Sequence, residues 1–205
     1  MSTGRRQPHS RAERSEATRV ALINAARSLF VTKGYFATGT EEIVAVAQVG
    51  TRGALYHHFA DKRDLFLAVF DQVQADLAAS TRLNPHHDAL DTLINALQQF
   101  LDASADNPDV QQIVLIDGPA VLGWEQWRAL EGQYGLGAIT AMLNAAVAQG
   151  VIAHQATEPL AHMLLSAVDE AALYIANSTN RQLARRQTRS SLRALLGGLR
   201  HSSVE

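Results

Sequence analysis

The 205-residue chain contains no cysteine, which excludes disulfides, thiol-based redox sensing and thiolate metal sites. Proline is scarce, at five residues, and no stretch approaches the roughly 18 unbroken apolar residues of a membrane span. The opening MSTGRRQPHSRAERSE holds charge where a secretory signal needs an apolar core, so the chain is expected in the cytoplasm with no membrane partner. Also missing are a nucleophile motif, a glycine-rich phosphate loop and a pair of histidines four apart. No catalytic residue, cofactor or metal is therefore assigned, and the chain is not expected to be an enzyme. The adjacent His86 and His87 before Asp88 point apart on a helix and lack a third ligand, which makes them a polar helix start rather than a metal site.

What the chain does have is an uneven charge. Its formal balance is −2, yet residues 1–64 hold 10 Lys/Arg against 6 Asp/Glu and the remainder holds 8 against 14. A basic head suits a phosphate backbone, and the same field keeps an acidic body away from it.

The head contains the one stretch whose residue types and spacing match a task, TGTEEIVAVAQVGTRGALYHHFADKRDL from Thr38 to Leu65. Thr40 is placed to cap a short helix with Glu41 and Glu42 in its first turn and Ile43, Val46 and Ala47 inward. A tight break at Val49-Gly50 follows, and Thr51 then caps a second short helix that buries Leu55 and Phe59. The pair reads as a helix-turn-helix, the alternative being an ordinary corner of a helical domain. Arg52, Gly53, Ala54, Tyr56 and His57 are left on the outward side of the second helix. Small residues there let the backbone approach base edges, and Arg52 suits a bidentate bond to guanine in the major groove. Tyr56, His58 and Lys62 are spaced to reach phosphate oxygens, helped by the helix starts at Thr40 and near Asp61. Thr40, Thr51, Arg52, Gly53, Ala54, Tyr56, His57, His58 and Lys62 are thus the expected DNA contacts.

The run TRGALYHHFADKRDLF from Thr51 to Phe66 closely resembles the DNA-binding end of the TetR family of bacterial transcription regulators, as do AARSLFVTKGY (Ala25–Tyr35) and TGTEEI (Thr38–Ile43). One departure is local. The family's turn has glycine followed by an apolar residue, and Val49-Gly50 reverses that order, so the left-handed position is expected to shift by one residue because valine tolerates positive φ poorly.

Upstream, residues 1–14 read as a disordered basic arm carrying Arg5, Arg6, Arg11 and Arg14, and a first helix runs from about Ser15 to Lys33 with Gly34 as its stop. Downstream, a long amphipathic helix from Asp61 to about Thr81 links head to body. The body continues in helices broken at Asn84-Pro85, Asn107-Pro108, Asp117-Gly118-Pro119, Gly150 and Glu158-Pro159. A break at Asp117-Gly118-Pro119 beside Trp124 and Trp127 would wall an apolar small-molecule cavity with Asp117 as its polar contact, the alternative being core packing and a turn. The run VLIDGPAVLGWEQWR, Val114 to Arg128, resembles the ligand-binding body of one group of TetR-like regulators. The candidate effector residues are Phe100, Asp117, Trp124, Trp127, Tyr134, His162 and Glu170. For His162, Ser166 and Asp169, on one helix face, three placements stay open: cavity, subunit interface or solvent.

The last helix turns Leu192, Leu195, Leu196 and Leu199 inward, with Arg185, Arg189 and Arg193 along another stripe. The two terminal helices, rich in alanine and leucine, suit packing across a two-fold axis, and the resemblance implies a homodimer built on a four-helix bundle. The expected fold is therefore all-α: a three-helix head at residues 15–60 and a helical effector-binding and dimerisation body at 61–205 that begins with the long linking helix. The expected function is a sequence-specific regulator, a repressor released from an inverted-repeat DNA operator by an unidentified small molecule. The alternatives are a DNA-binding structural protein without effector and, last, a helical enzyme.

Overall fold

The computed structural model describes residues 11–80 and 88–201. Arg5, Arg6, His86, His87 and the break at Asn84-Pro85 lie outside the described residues. Within them the chain forms nine helices, and the only strand-like pairing is one antiparallel bridge between Ile152 and Arg200. The all-α expectation holds. The chain divides into two compact units, Met1–Phe70 and Asp71–Glu205.

In the first unit α1 (Arg11–Lys33) buries Leu22, Ile23, Ala26, Leu29 and Phe30 and ends where Gly34 takes φ 78°. The helix starts earlier than the expected Ser15, so Arg11 and Arg14 belong to it and not to an arm. Nothing between Arg11 and Ser15 breaks a helix, and Glu13 sits in the first turn where the dipole favours it. α2 (Thr40–Ala47) and α3 (Arg52–His58) follow. Ile43, Val44, Leu55 and Phe59 close over α1, whereas Val46 is exposed, so the inward face of α2 runs through Ile43 and Val44 rather than Ile43 and Val46. α4 (Lys62–Ser80) begins on a reciprocal cap: Asp64 N donates to Asp61 Oδ1 at 2.7 Å and Ala60 N to Asp64 Oδ2 at 2.9 Å. Phe30, Tyr35 and Phe66 form an aromatic knot with ring centroids 5.2–5.6 Å apart.

The second unit is built on α5 (Ala89–Asp106), α8 (Thr157–Asn177) and α9 (Arg181–Gly197). Between α5 and α8 lie α6 (residues 110–122) and α7 (residues 124–148). Each is a composite with a wide-turned π segment, Val110–Asp117 in α6 and Gly132–Leu136 in α7. The expected interruption at Asp117-Gly118-Pro119 does not occur. Pro119 lies in the first turn of an α-helical stretch, Gly118–Leu122, that follows directly on the π segment, and the chain breaks instead at Gly123, φ 80°. The core joins Leu90, Leu93, Ile94, Leu97 and Leu101 to Leu143, Leu164, Val168, Leu192 and Leu196. The arginine stripe of α9 lies along α5: Arg185 pairs with Asp106 and Asp102, Arg189 with Asp102, and Arg189 and Arg193 donate to Gln98 Oε1 at 3.1 and 3.3 Å. Leu195, expected inside, is 60% exposed.

Candidate functional site

The turn before α3 solves the valine problem from both sides. Gln48 takes φ 56° and Gly50 φ 85°, so Val49 between them is spared a left-handed conformation. Gln48 N–H closes α2 on the carbonyls of Val44 and Ala45. Thr51 is the extended N-cap of α3, as its position suggested, without a side-chain cap bond. Gly39, not Thr40, is the N-cap of α2. Thr40 is already inside that helix, and its side chain is hydrogen-bonded to Tyr56.

Arg52, Gly53, Tyr56 and His57 are exposed and Ala54 and His58 half-buried, so the outward side of α3 is open. Arg52 Nη1 donates to Glu41 Oε1 at 3.0 Å, and its guanidinium lies 5.9 Å from the Tyr56 ring centroid. Arg52 also donates to the Tyr56 hydroxyl, and this bond, with that of Thr40, pulls the phenol below its ordinary pKa. A Cβ placed on Gly53 would meet only Thr51 Oγ1, at an ordinary 3.5 Å. Packing within the chain does not require a glycine there.

Lys62 differs from its expected role. Its ammonium donates to the carbonyls of Tyr35 and Thr38, both at 2.9 Å, and lies 4.0 Å from the Tyr35 ring centroid. It ties the loop between α1 and α2 to the start of α4. The same loop is pinned from inside by buried Thr38, whose hydroxyl donates to Gly34 O at 2.8 Å. The helix start near Asp61, expected to offer free N–H groups to phosphate, is capped by Asp61 and Asp64.

The second unit holds a partly open, mainly apolar cavity of about 190 Å³ between α4, α5, α7 and α8, with Leu97, Phe100, Ile139, Met142 and Leu165 on its walls. Of the expected effector residues it includes Phe100 and Tyr134. The others lie elsewhere. Asp117 is buried in α6; Trp127 is buried and donates its indole N–H to Val114 O at 2.8 Å; Trp124 and Glu170 are exposed, and His162 lies with Trp124 in a shallow outer groove. The polar groups of the cavity wall are Gln74, Tyr134 and Glu131. Tyr134 is hydrogen-bonded to Asp71, and burial, followed by the charge of Asp71, raises its phenol.

Glu131 is the residue that the sequence did not mark. Arg128 Nη1 bonds its Oε2 at 2.9 Å, approaches Asp169 Oδ2 at 3.6 Å, and Arg128 Nη2 donates to Ser166 Oγ at 3.1 Å. The guanidinium lies against both Trp124 and Trp127, 4.7 and 4.4 Å from their ring centroids, which are themselves 5.2 Å apart. Burial and then the charge of Asp169 push Glu131 up to about 8, and burial pushes Asp169 up to about 7, with Arg128 opposing both.

Comparison with known proteins decides the family. Residues 22–69 match the family described as "Bacterial regulatory proteins, tetR family", and residues 90–199, more than half of the chain, match "Tetracyclin repressor-like, C-terminal domain". The chain belongs to the TetR family. It is similar to the Transposon Tn10 TetC protein of Escherichia coli, 29% identical over 156 residues that cover 74% of this chain and 77% of that one. It is also similar to the HTH-type transcriptional repressor BepR of Brucella suis, 33% identical over 98 residues, 44% of this chain and 46% of BepR. The crystal structure of a TetR-family regulator from Pectobacterium atrosepticum superposes with a TM-score of 0.72 at 31% identity, covering 95% of this chain and 99% of that one. As a TetR-family member the chain is a DNA-binding transcriptional regulator with a helical ligand-binding body, a class of protein that is generally not enzymatic. Among the described residues, no helix is long and apolar enough to cross a membrane.

Two expectations follow for this TetR-family chain. Lys62→Met should lower stability by about 1–3 kcal/mol in a urea melt, because two loop carbonyls lose a charged donor. It should leave the salt slope of DNA binding in place, since Lys62 is spent inside the protein. Glu131 and Asp169 bind protons more tightly folded than unfolded, so their contribution to stability is complete at acid pH below the ordinary carboxylate range. It is lost as pH rises through about 7 to 8. The melting temperature of the parent, relative to Glu131→Gln, should therefore fall as pH is raised across that window.

Proposed function

We propose that this regulator seats the first turns of α3 in the major groove, with Arg52 reading guanine and Thr40, Thr51, Tyr56, His57 and His58 meeting the backbone around it. Gly53 carries the reading. It is exposed, helical and uncrowded, so nothing inside the protein calls for a missing side chain, whereas close approach to base edges does. Both side chains of the Arg52–Glu41 pair are more than half exposed, and such contacts exchange readily for a base or phosphate partner.

The regulator acts as a homodimer on an inverted repeat. Support comes from the apolar surface left open on the terminal helices, Met163 and Tyr174 on α8 and Leu183 and Leu195 on α9, all exposed in the single chain. Two-fold pairing would present two α3 helices at the roughly 34–36 Å spacing of successive major-groove faces. Repression relieved by a small molecule in the α5–α7 cavity is the mode of control, in keeping with the name of BepR. Gln74, Leu77 and Ala78 of α4 line that cavity, and Lys62 at the other end of the same helix holds the head loop. A ligand that displaces α4 would thus bias operator affinity, by about 5- to 150-fold for an ordinary coupling energy. Such a regulator works in the cytoplasm, where its operator is.

Duplexes selected from a random pool supply the operator for the test. Gly53→Leu should keep stability within about 1 kcal/mol of the parent yet lose operator binding, because leucine suits a helix but fills the groove approach. Arg52→Ala should lose about 5- to 100-fold and relax the preferred sequence at one position of each half-site. A stable Gly53→Leu protein that still binds the operator normally would overturn the placement of α3.

A further inference from the structure

The body cavity has one carboxylate buried on its wall, and that carboxylate belongs to a cluster whose charges do not balance. Glu131 and Asp169 share the single guanidinium of Arg128, at 2.9 and 3.6 Å. Arg128 has little freedom to serve both better, because its guanidinium rests against Trp124 and Trp127 and its second nitrogen is engaged with Ser166. Asp169 Oδ2 is buried without a hydrogen-bond partner among the described residues. With both acids ionised the cluster carries one uncompensated negative charge beside an apolar space, which is costly unless a cation or a proton completes it. Nothing else at the cavity completes it. The lining includes no lysine or arginine, Gln74 is neutral, Asp71 behind Tyr134 adds a further acid, and His162 sits in the outer groove.

We propose that the cavity takes a small organic monocation, an amine or amidine on an apolar body, with its charged head against Glu131 and its body against Leu97, Phe100, Ile139 and Met142. This rests on the cavity being the effector site and names the chemical class of the effector. Burial raises both acids, and the charge of Asp169 adds to the rise at Glu131, so the pair holds on to a proton at pH values where free carboxylates are ionised. An entering cation takes the place of that proton, which passes to solvent, so binding releases up to one proton per ligand and weakens on acidification. A neutral ligand of the same shape releases none.

Calorimetry on the full chain with 2-phenylethylammonium, 2-phenylethanol and 3-phenylpropionate, at about pH 6 and about pH 8.5 and in buffers of different ionisation enthalpy, tests this. The ammonium should bind at least about tenfold more tightly than the alcohol at the higher pH, release a proton at the lower one, and exceed the carboxylate by more. Glu131→Gln should abolish the preference and keep the alcohol. Asp169→Asn, which leaves Arg128 and Glu131 as a balanced pair, should do the same and serves if Glu131→Gln does not fold. Equal binding of the three probes, or an ammonium preference that survives both variants, overturns the charge assignment and leaves the cavity as an effector site. If no probe binds, or if Ala96→Phe, which adds a ring at a residue of the cavity wall, changes nothing, the cavity reading falls and the proposal falls with it.

Discussion

The ammonium of Lys62 is the joint on which the head depends. It gathers the carbonyls of Tyr35 and Thr38 and faces the Tyr35 ring, so the loop leaving α1 and the first turn of α4 are held as one piece. Inside that frame Ile43, Leu55 and Phe59 anchor α2 and α3 by their inward sides, and the bonds that join the two helices outside, Arg52 to Glu41 and Tyr56 to Thr40, lie exposed to water. The outward side of α3 consequently carries little of the packing. Its small residues and its one arginine are available to a partner because the protein's own stability is carried elsewhere.

Two arginine–carboxylate contacts of nearly the same length behave differently because of where they sit. Arg52 and Glu41 meet at 3.0 Å with both side chains more than half exposed. Water competes for each group, so the pair can open when another acceptor arrives. Arg128 and Glu131 meet at 2.9 Å with side chains 14% and 4% exposed, and Asp169 crowds the same guanidinium. Burial removes water as the third partner, and the surplus charge then governs proton binding. The head thus uses a charge held loosely, and the body one held against its preference.

Much of the head was legible from residue spacing. Leu22, Ile23, Ala26, Leu29 and Phe30 mark the inner face of α1, Gly34 stops it, and Thr51, Leu55 and Phe59 frame α3. Positions set by single side-chain bonds across the chain were not. Lys62 has the surroundings of a phosphate contact in one dimension, and only the return of the α1–α2 loop to the start of α4 shows that it is engaged. Thr40 and Gly39 are interchangeable as caps on propensity, and the structure uses the residue one earlier. In the body the tryptophans were the obvious marks of a cavity, yet Trp127 is core and Trp124 lies exposed against Arg128. The informative signal was the charged pair Arg128 and Glu131, three apart and so on the same helix face as the buried Trp127. A charge among residues that bury themselves is a better guide to a site than the aromatic rings around it.

The central claim, an unobstructed α3 whose Arg52 reads a guanine, has a direct test in the atoms of that base. Each guanine of the selected operator is replaced in turn by 7-deazaguanine, which lacks the N7 acceptor, and binding is measured for the parent and for Arg52→Ala. At one guanine per half-site the parent should lose about tenfold or more and Arg52→Ala should lose nothing further. If every replacement weakens both proteins equally, Arg52 does not read a guanine and α3 does not sit in the groove as described.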